Sequence, residues 1–304
     1  MATFSSPNPW QNSGGRRLPD GREYLKAERF NPTPVSSILG CMTADASEPL
    51  AKTSSAERMA AAARAAGHAL TDLVLPPQCL ACDRQVAGDG ALCPDCWSAL
   101  RLIERPYCER LGTPFPYDMG AGAESPEAIA DPPPFGRCRA VAAFDDVARR
   151  LVHGLKYRDR LELAAWMGEW MARAGAELVV EADLVVPVPM HRRRLWLRRF
   201  NQSASLAAAV AERCGKPLST DALQRIKPTR QQVGLSANER DRNVRGAFKV
   251  PDDHRLAVAG RSILLIDDVY TTGATVKAAT RVLARAGAAS VDVLVFARVV
   301  RGTD

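Results

Sequence analysis

The sequence predicts an α/β protein, a parallel sheet flanked by helices with a small N-terminal zinc-binding segment. Two observations carry this. Ile263 to Ile266 is an uninterrupted aliphatic run that ends in two carboxylates, and Cys79, Cys82, Cys93 and Cys96 form two closely spaced thiol pairs. A short run apolar on every position suits a strand buried on both faces, which is typical of parallel sheets. The 304 residues exceed the commonest size of a single domain, so one main domain with a smaller module is expected.

Composition narrows the function classes. With 46% hydrophobic and 25% charged residues the chain has an ordinary globular composition. A formal charge of +7 suits phosphates, nucleic acid or an anionic surface without choosing among them. No uncharged apolar run approaches the ~18 to 20 residues of a membrane span, and the polar N-terminus lacks the apolar core of a secretory signal. A cytoplasmic location is the simplest expectation, and there persistent disulfides are unusual.

Residues 1 to 54, rich in Ser, Pro, Asn and Gly, read as a disordered leader. Ala56 to Leu75 has the pattern of an amphipathic helix halted by Pro76 and Pro77. Then come Cys79-Leu-Ala-Cys82 and Cys93-Pro-Asp-Cys96. A redox centre needs one such pair, whereas two pairs within one short segment supply the four thiolates of a structural zinc site. Cys108 and Cys138 stand alone and read as buried free thiols.

Arg139 to Phe144 reads as a strand and Val147 to Arg160 as a helix carrying the basic segment His153 to Arg158. Leu163, Trp166, Met167, Trp170 and Met171 share one helical face and read as core. Leu184 to Pro189 reads as a second buried strand, followed by His191-Arg-Arg-Arg194 and Trp196-Leu-Arg-Arg-Phe200, and then by a helix from Asn201 that stops at Gly215. Arg192 and Arg194 can grip pyrophosphate through planar guanidinium forks, the interleaved aromatics can stack on nucleic-acid bases, or the loop is a solvated basic surface. Arg225 to Arg245 is long and basic, either a cationic lid or a surface excursion. Ala247 to Val250, the run at Ile263 and Val291 to Ala297 are expected to complete the sheet.

Asp267 and Asp268 fall at a strand's carboxyl end, where open α/β sheets bind ligands. Thr271, Thr272, Gly273, Ala274 and Thr275 follow, and a helix begins at Val276 and closes at Gly287. The carboxylates can accept from ribose hydroxyls, and the threonines and helix N-terminus can donate to a phosphate, so one loop can hold both ends of a ribose 5-phosphate. The plainer alternative is an Asp-Asp helix cap after a core strand.

The strand, acid pair and Thr-Gly loop resemble the phosphoribosyl pyrophosphate (PRPP) motif of type I phosphoribosyltransferases. From about Leu73 to Arg298 the chain resembles the ComF (competence protein F) family. The matching residues are the two CxxC pairs, Leu155-Lys156-Tyr157, Val186-Pro-Val-Pro189, Arg198 with Phe200-Asn201-Gln202, Thr229 with Gln231, Arg242-Asn-Val244, and Asp267 through Thr275. Leu111 stands where many relatives carry a further cysteine, and Arg199 where glycine is frequent. The resemblance implies residues 55–115 as a helix plus double zinc-ribbon-like module, 116–138 as a linker and 139–304 as a phosphoribosyltransferase-like domain. It further implies structural Zn²⁺, Mg²⁺ accompanying PRPP, and a link to DNA uptake in natural transformation. The candidate partners are then PRPP or another ribose 5-phosphate, single-stranded DNA and DNA-uptake proteins. Both a phosphoribosyltransferase and a non-catalytic nucleotide or single-stranded DNA binding module agree with these motifs.

Overall fold

A computed structural model describes residues 59, 76–88, 90–157, 161–191, 201–227, 244 and 246–300. The leader at 1–54 and, apart from Met59, the expected helix from Ala56 to Leu75 lie outside the described residues. The N-terminal segment contains helices α1 (Pro94–Ala99) and α2 (Pro126–Ala130). Then come β1 (Cys138–Ala143), α3 (Asp146–Tyr157), α4 (Leu161–Ala174), α5 (Ala176–Glu181), β2 (Leu184–Pro187) and α6 (Gln202–Cys214). The short strands β3 (Gln224–Arg225) and β4 (Phe248–Lys249) precede α7 (Arg255–Val258), β5 (Ser262–Tyr270), α8 (Ala274–Arg285) and β6 (Ser290–Arg298).

Four strands form a parallel sheet in the order β1-β6-β5-β2. Alternate side chains of its two central strands enter two different cores. Leu264, Ile266, Leu294 and Phe296 pack with α3, α4 and α6, whereas Ile263, Leu265, Val293 and Val295 pack with Val276, Ala279 and Leu283 of α8. This two-sided burial explains why the run at Ile263 is aliphatic on every position. Leu163, Met167 and Met171 are fully buried on α4, and Trp166 and Trp170 join them at the edge of that core. Trp166 lies 6.2 Å from the Phe296 ring and 6.1 Å from Trp170, which in turn lies 5.2 Å from Trp97 of α1.

Both sheet edges are covered. Leu102 bridges Ala142 antiparallel to β1, and Leu218 bridges Val185 parallel to β2. The second cover corrects an expectation: the segment at Ala247 to Val250 does not join the main sheet. Its two strand residues pair with Gln224 and Arg225 in a separate antiparallel ribbon. Pro217 and Ser219 already exchange backbone hydrogen bonds with Val185, so the β2 edge is taken.

Strand lengths leave one edge of β5 overhanging. The pairing of β2 with β5 stops at Pro187 opposite Ile266, while that of β5 with β6 continues to Tyr270 opposite Arg298. β5 therefore overruns its β2 neighbour by four residues, Asp267 to Tyr270. The acid pair lies within this overhang, so the strand continues past it rather than ending before it.

Two buried arginines tie the N-terminal segment to the sheet. The Arg139 guanidinium, 2% exposed, donates to the Glu177 carboxylate at 2.7 Å, to the Glu109 carboxylate and to the Glu109 carbonyl. Arg298, equally buried, donates to the Leu111 carbonyl and lies over the Tyr270 ring at 5.1 Å. The segment 116–138 holds α2 and buries Phe135 against the ring of Tyr270.

Arg139→Met keeps the apolar stem but removes the cation from Glu177 and leaves Glu109 with Arg105 alone. Since both glutamates reach water, the expected loss is about 2 kcal/mol, below the ~3 to 5 kcal/mol of a fully buried pair. The urea midpoint measures it, and an unchanged midpoint would show that the pair contributes nothing net.

Candidate ligand site and metal centre

In the overhang, the Asp267 and Asp268 carboxylates are held by different parts of the chain. Asp267, 9% exposed, accepts on Oδ1 from Ser203 Oγ at 2.9 Å and from the Asp268 backbone N–H at 3.0 Å. Asp268 accepts on Oδ1 from the Val269 N–H at 2.8 Å and on Oδ2 from Lys156 Nζ at 2.5 Å. Ser203 stands in the first turn of α6 and Lys156 in the last turn of α3, so two helices converge on two adjacent residues. Burial pushes the Asp267 carboxyl up from 3.8 to about 7, and the negative charge of Asp268 adds to the rise. The Ser203 hydroxyl, the Asp268 N–H and Lys156 oppose it.

Beyond the acid pair the chain turns through Thr271, Thr272 and Gly273 into α8. Gly273 adopts the left-handed conformation at φ 76°, and a Cβ there would run into the buried Tyr270 ring. Only glycine meets both conditions at low cost. α8 begins without a side-chain cap, which leaves N–H groups of its first turn to another acceptor. Thr272 Oγ1 is buried and has no hydrogen-bond partner among the described residues. Thr271 and Thr275 are half-buried. The expected site residues from Asp267 to Thr275 thus span the end of β5, the turn after it and the start of α8, whereas Arg192 and Arg194 lie outside the described residues.

Sequence reasoning named Lys156 within Leu155-Lys156-Tyr157 but assigned neither it nor Ser203 to the site. Each carried a signal: Lys156 stands in the basic segment of α3, and Ser203 directly follows Phe200-Asn201-Gln202. Neither signal identifies its partner, because both contacts span long stretches of chain.

The four paired cysteines converge as expected. Their sulfur atoms all lie within 4.8 Å of one another, and Cys82 Sγ is 3.7 Å from Cys93 Sγ. A tetrahedron with ~2.3 Å zinc–sulfur bonds has edges of about 3.8 Å, so the cluster suits zinc. Backbone N–H groups support it: Cys93 N donates to Cys79 Sγ at 3.2 Å, and Cys96 N to Cys93 Sγ at 3.5 Å, the latter also capping α1. Burial alone would raise the Cys79 thiol, but the N–H groups of Cys93, Ala81 and Cys82 outweigh it and bring it down to about 6. Arg150 of α3 reaches Cys96 Sγ at 3.8 Å. Cys108 and Cys138 are fully buried free thiols.

Residues 70–130 match the family model of the double zinc ribbon domain, and residues 201–304 that of the phosphoribosyl transferase domain. The DNA utilization protein YhgH of Escherichia coli (strain K12) is 32% identical over 234 residues, covering 74% of this chain and 99% of that protein. Competence protein F of Haemophilus influenzae is 25% identical over 237 residues, 73% of this chain and 96% of that one. Competence protein ComFC of Bacillus subtilis is 25% identical over 232 residues, 70% and 90%. The double zinc ribbon match and the four-cysteine cluster support a structural zinc. No helix among the described residues is long and apolar enough to cross a membrane.

Two outcomes are expected. Metal analysis of the purified chain should find about one zinc at this cluster, and Cys93→Ser should abolish it and loosen the N-terminal module, because the same sulfur caps α1. Full zinc content in that variant would refute the ligand set. For Asp267, the folded value stands above the unfolded one, so the folded protein holds the proton more tightly and stability falls as pH rises from about 4 through about 7. Asp267→Asn should therefore raise the melting temperature at pH 8 relative to wild type, with a smaller gain at pH 5. An equal shift at both pH values would contradict a raised Asp267.

Proposed function

This chain belongs to the ComF (competence protein F) family, and we propose that its phosphoribosyltransferase-like domain binds a ribose 5-phosphate, most readily as PRPP, in a process that handles DNA. The observation that carries this reading is an incomplete set of donors. A buried threonine hydroxyl without a partner among the described residues lies beside the N-terminus of a 12-residue helix that has no side-chain cap, four residues beyond a carboxylate pair. A phosphate completes those donors, since helix N-termini and their dipoles favour anions. The pair Asp267 and Asp268 then receives the ribose hydroxyls, and Thr271, Thr272, Gly273, Ala274 and Thr275 surround the phosphate.

In the enzyme form of this reading, the C1–O bond to pyrophosphate breaks, the electron pair leaves with pyrophosphate, and an acceptor nucleophile forms a new bond to C1. The protein supplies positioning and electrostatic stabilisation. Arg192 and Arg194 are the residues proposed for the pyrophosphate. Mg²⁺ does not fit the acid pair as it stands, because Lys156 already holds Asp268 Oδ2 and burial favours the proton on Asp267. In this reading Mg²⁺ comes with PRPP, on the oxygens of its pyrophosphate.

A second reading, a nucleotide or single-stranded DNA binding module without chemistry, is favoured by the +7 charge and by relatives named for DNA utilization and competence. The two separate cleanly. Pyrophosphate release from PRPP in the presence of a nucleobase panel supports the enzyme. Its absence, together with DNA affinity that falls steeply with salt and weakens in Arg192→Ala and Arg194→Ala, supports the binding module.

Binding itself is tested by calorimetry with ribose 5-phosphate, PRPP and a nucleoside 5′-monophosphate. Thr272→Val should weaken all three, because each carries the 5-phosphate, and Asp268→Asn should weaken them through the ribose. A lost charge-assisted hydrogen bond is worth ~1.5 to 3 kcal/mol, roughly tenfold or more in affinity. If none of the ligands binds the wild type at millimolar concentration, the ribose-phosphate reading is wrong.

A further inference from the structure

Two adjacent carboxylates on one strand repel, and a ligand site built on them needs a positive charge nearby. In many sugar-phosphate sites a divalent metal supplies that charge. Here the chain supplies it. Lys156 Nζ reaches Asp268 Oδ2 at 2.5 Å, with the two side chains only 26% and 15% exposed. Each of the other protein contacts also has an assigned oxygen. Ser203 Oγ and the Asp268 N–H donate to Asp267 Oδ1, and the Val269 N–H donates to Asp268 Oδ1. Asp267 Oδ2 is the one carboxylate oxygen of the pair without a protein contact among the described residues, so it is fully available to a ligand hydroxyl.

The lysine is placed by more than its own ion pair. It stands in the last turn of α3, and Val147, Ala148, Leu151, Val152 and Leu155 of that helix are buried in the core shared with Leu80 and Leu100 of the zinc module. A cation carried on a helix packed along its length is preorganised, so it does not have to be recruited from solvent. A metal bridging the two carboxylates would have to displace it from Asp268.

We propose that Lys156 is the resident cation of the acid pair, and that the crevice holds a ribose 5-phosphate without any divalent metal. This rests on the reading that the crevice binds ribose 5-phosphate. Lys156 is a positioning residue: it neutralises and orients Asp268 while the free Asp267 oxygen pairs with a hydroxyl of the sugar. Mg²⁺ then strengthens only ligands that carry a pyrophosphate, through their own oxygens. The proposed ligand class is correspondingly wider than Mg-PRPP and includes nucleoside 5′-monophosphates, which bring no metal.

The test is calorimetry of the full-length chain with ribose 5-phosphate, in EDTA and in Mg²⁺. Wild type should bind equally in both. Lys156→Met, which keeps the apolar stem and removes the charge, should bind roughly tenfold more weakly in EDTA and regain affinity in Mg²⁺, the loss being that of one charge-assisted contact. Lys156→Arg, with the charge retained, should stay indifferent to the metal. Rescue of the Met variant by Mg²⁺ is a readout that a merely structural lysine would not produce. A wild type that binds only in Mg²⁺, or a Met variant that binds like wild type in EDTA, overturns the proposal while leaving the ribose-phosphate reading intact. Absence of binding by wild type under both conditions overturns that reading and this proposal together. Should Lys156→Met fail to fold, the wild-type comparison still decides the matter, because metal-dependent binding there is sufficient to reject it.

Discussion

Two carboxyl groups one residue apart on a strand buried to both sides are costly to place, and much of the architecture serves to hold them. Asp267 receives a serine hydroxyl from α6 and a backbone N–H, and Asp268 receives a lysine from α3 and another backbone N–H. Strand lengths do the rest. Because β2 pairs only as far as Ile266 while β6 follows β5 to Tyr270, the pair has a strand partner along one edge and, among the described residues, none along the other. Had β2 run as far as β5, its backbone would occupy the space in which a ligand can approach.

Helix α3 joins the two chemical centres of the molecule. Near its middle Arg150 reaches a sulfur of the cysteine cluster, and at its end Lys156 reaches Asp268. Four thiolates around one zinc leave a net negative centre, for which a nearby guanidinium is a fitting neighbour. Between those contacts the helix is packed into the core shared by the N-terminal module and the sheet. The zinc segment is therefore a structural neighbour of the crevice, connected through one rigid element. On the opposite face of the sheet, Arg298 and Tyr270 couple the turn before α8 to Leu111 and Phe135 of the N-terminal segment.

Sequence reasoning succeeds or fails here for identifiable physical reasons. The four cysteine ligands are legible because each pair is local: two residues between thiols suffice to bring both onto one turn. Gly215 ends α6 in the left-handed conformation, and this too is a local requirement of the backbone. The assignment of Phe248 to the main sheet fails because a two-residue strand has almost no pattern of its own. Its partner depends on which edge is vacant, and Pro217 to Ser219 had taken the β2 edge.

By itself, the amino-acid sequence determined the aliphatic strand, the carboxylates set at its far end, the Thr-Gly turn into a helix and the paired thiols, since each follows from spacing and backbone preference within a few residues. Only the tertiary structure decided the length of the overhang, the burial that raises Asp267, and the choice of Ser203 and Lys156 as partners of the acid pair. Those depend on register between strands and on where two packed helices end. Such quantities are set by many weak contacts among residues distant along the chain, and no local pattern encodes them.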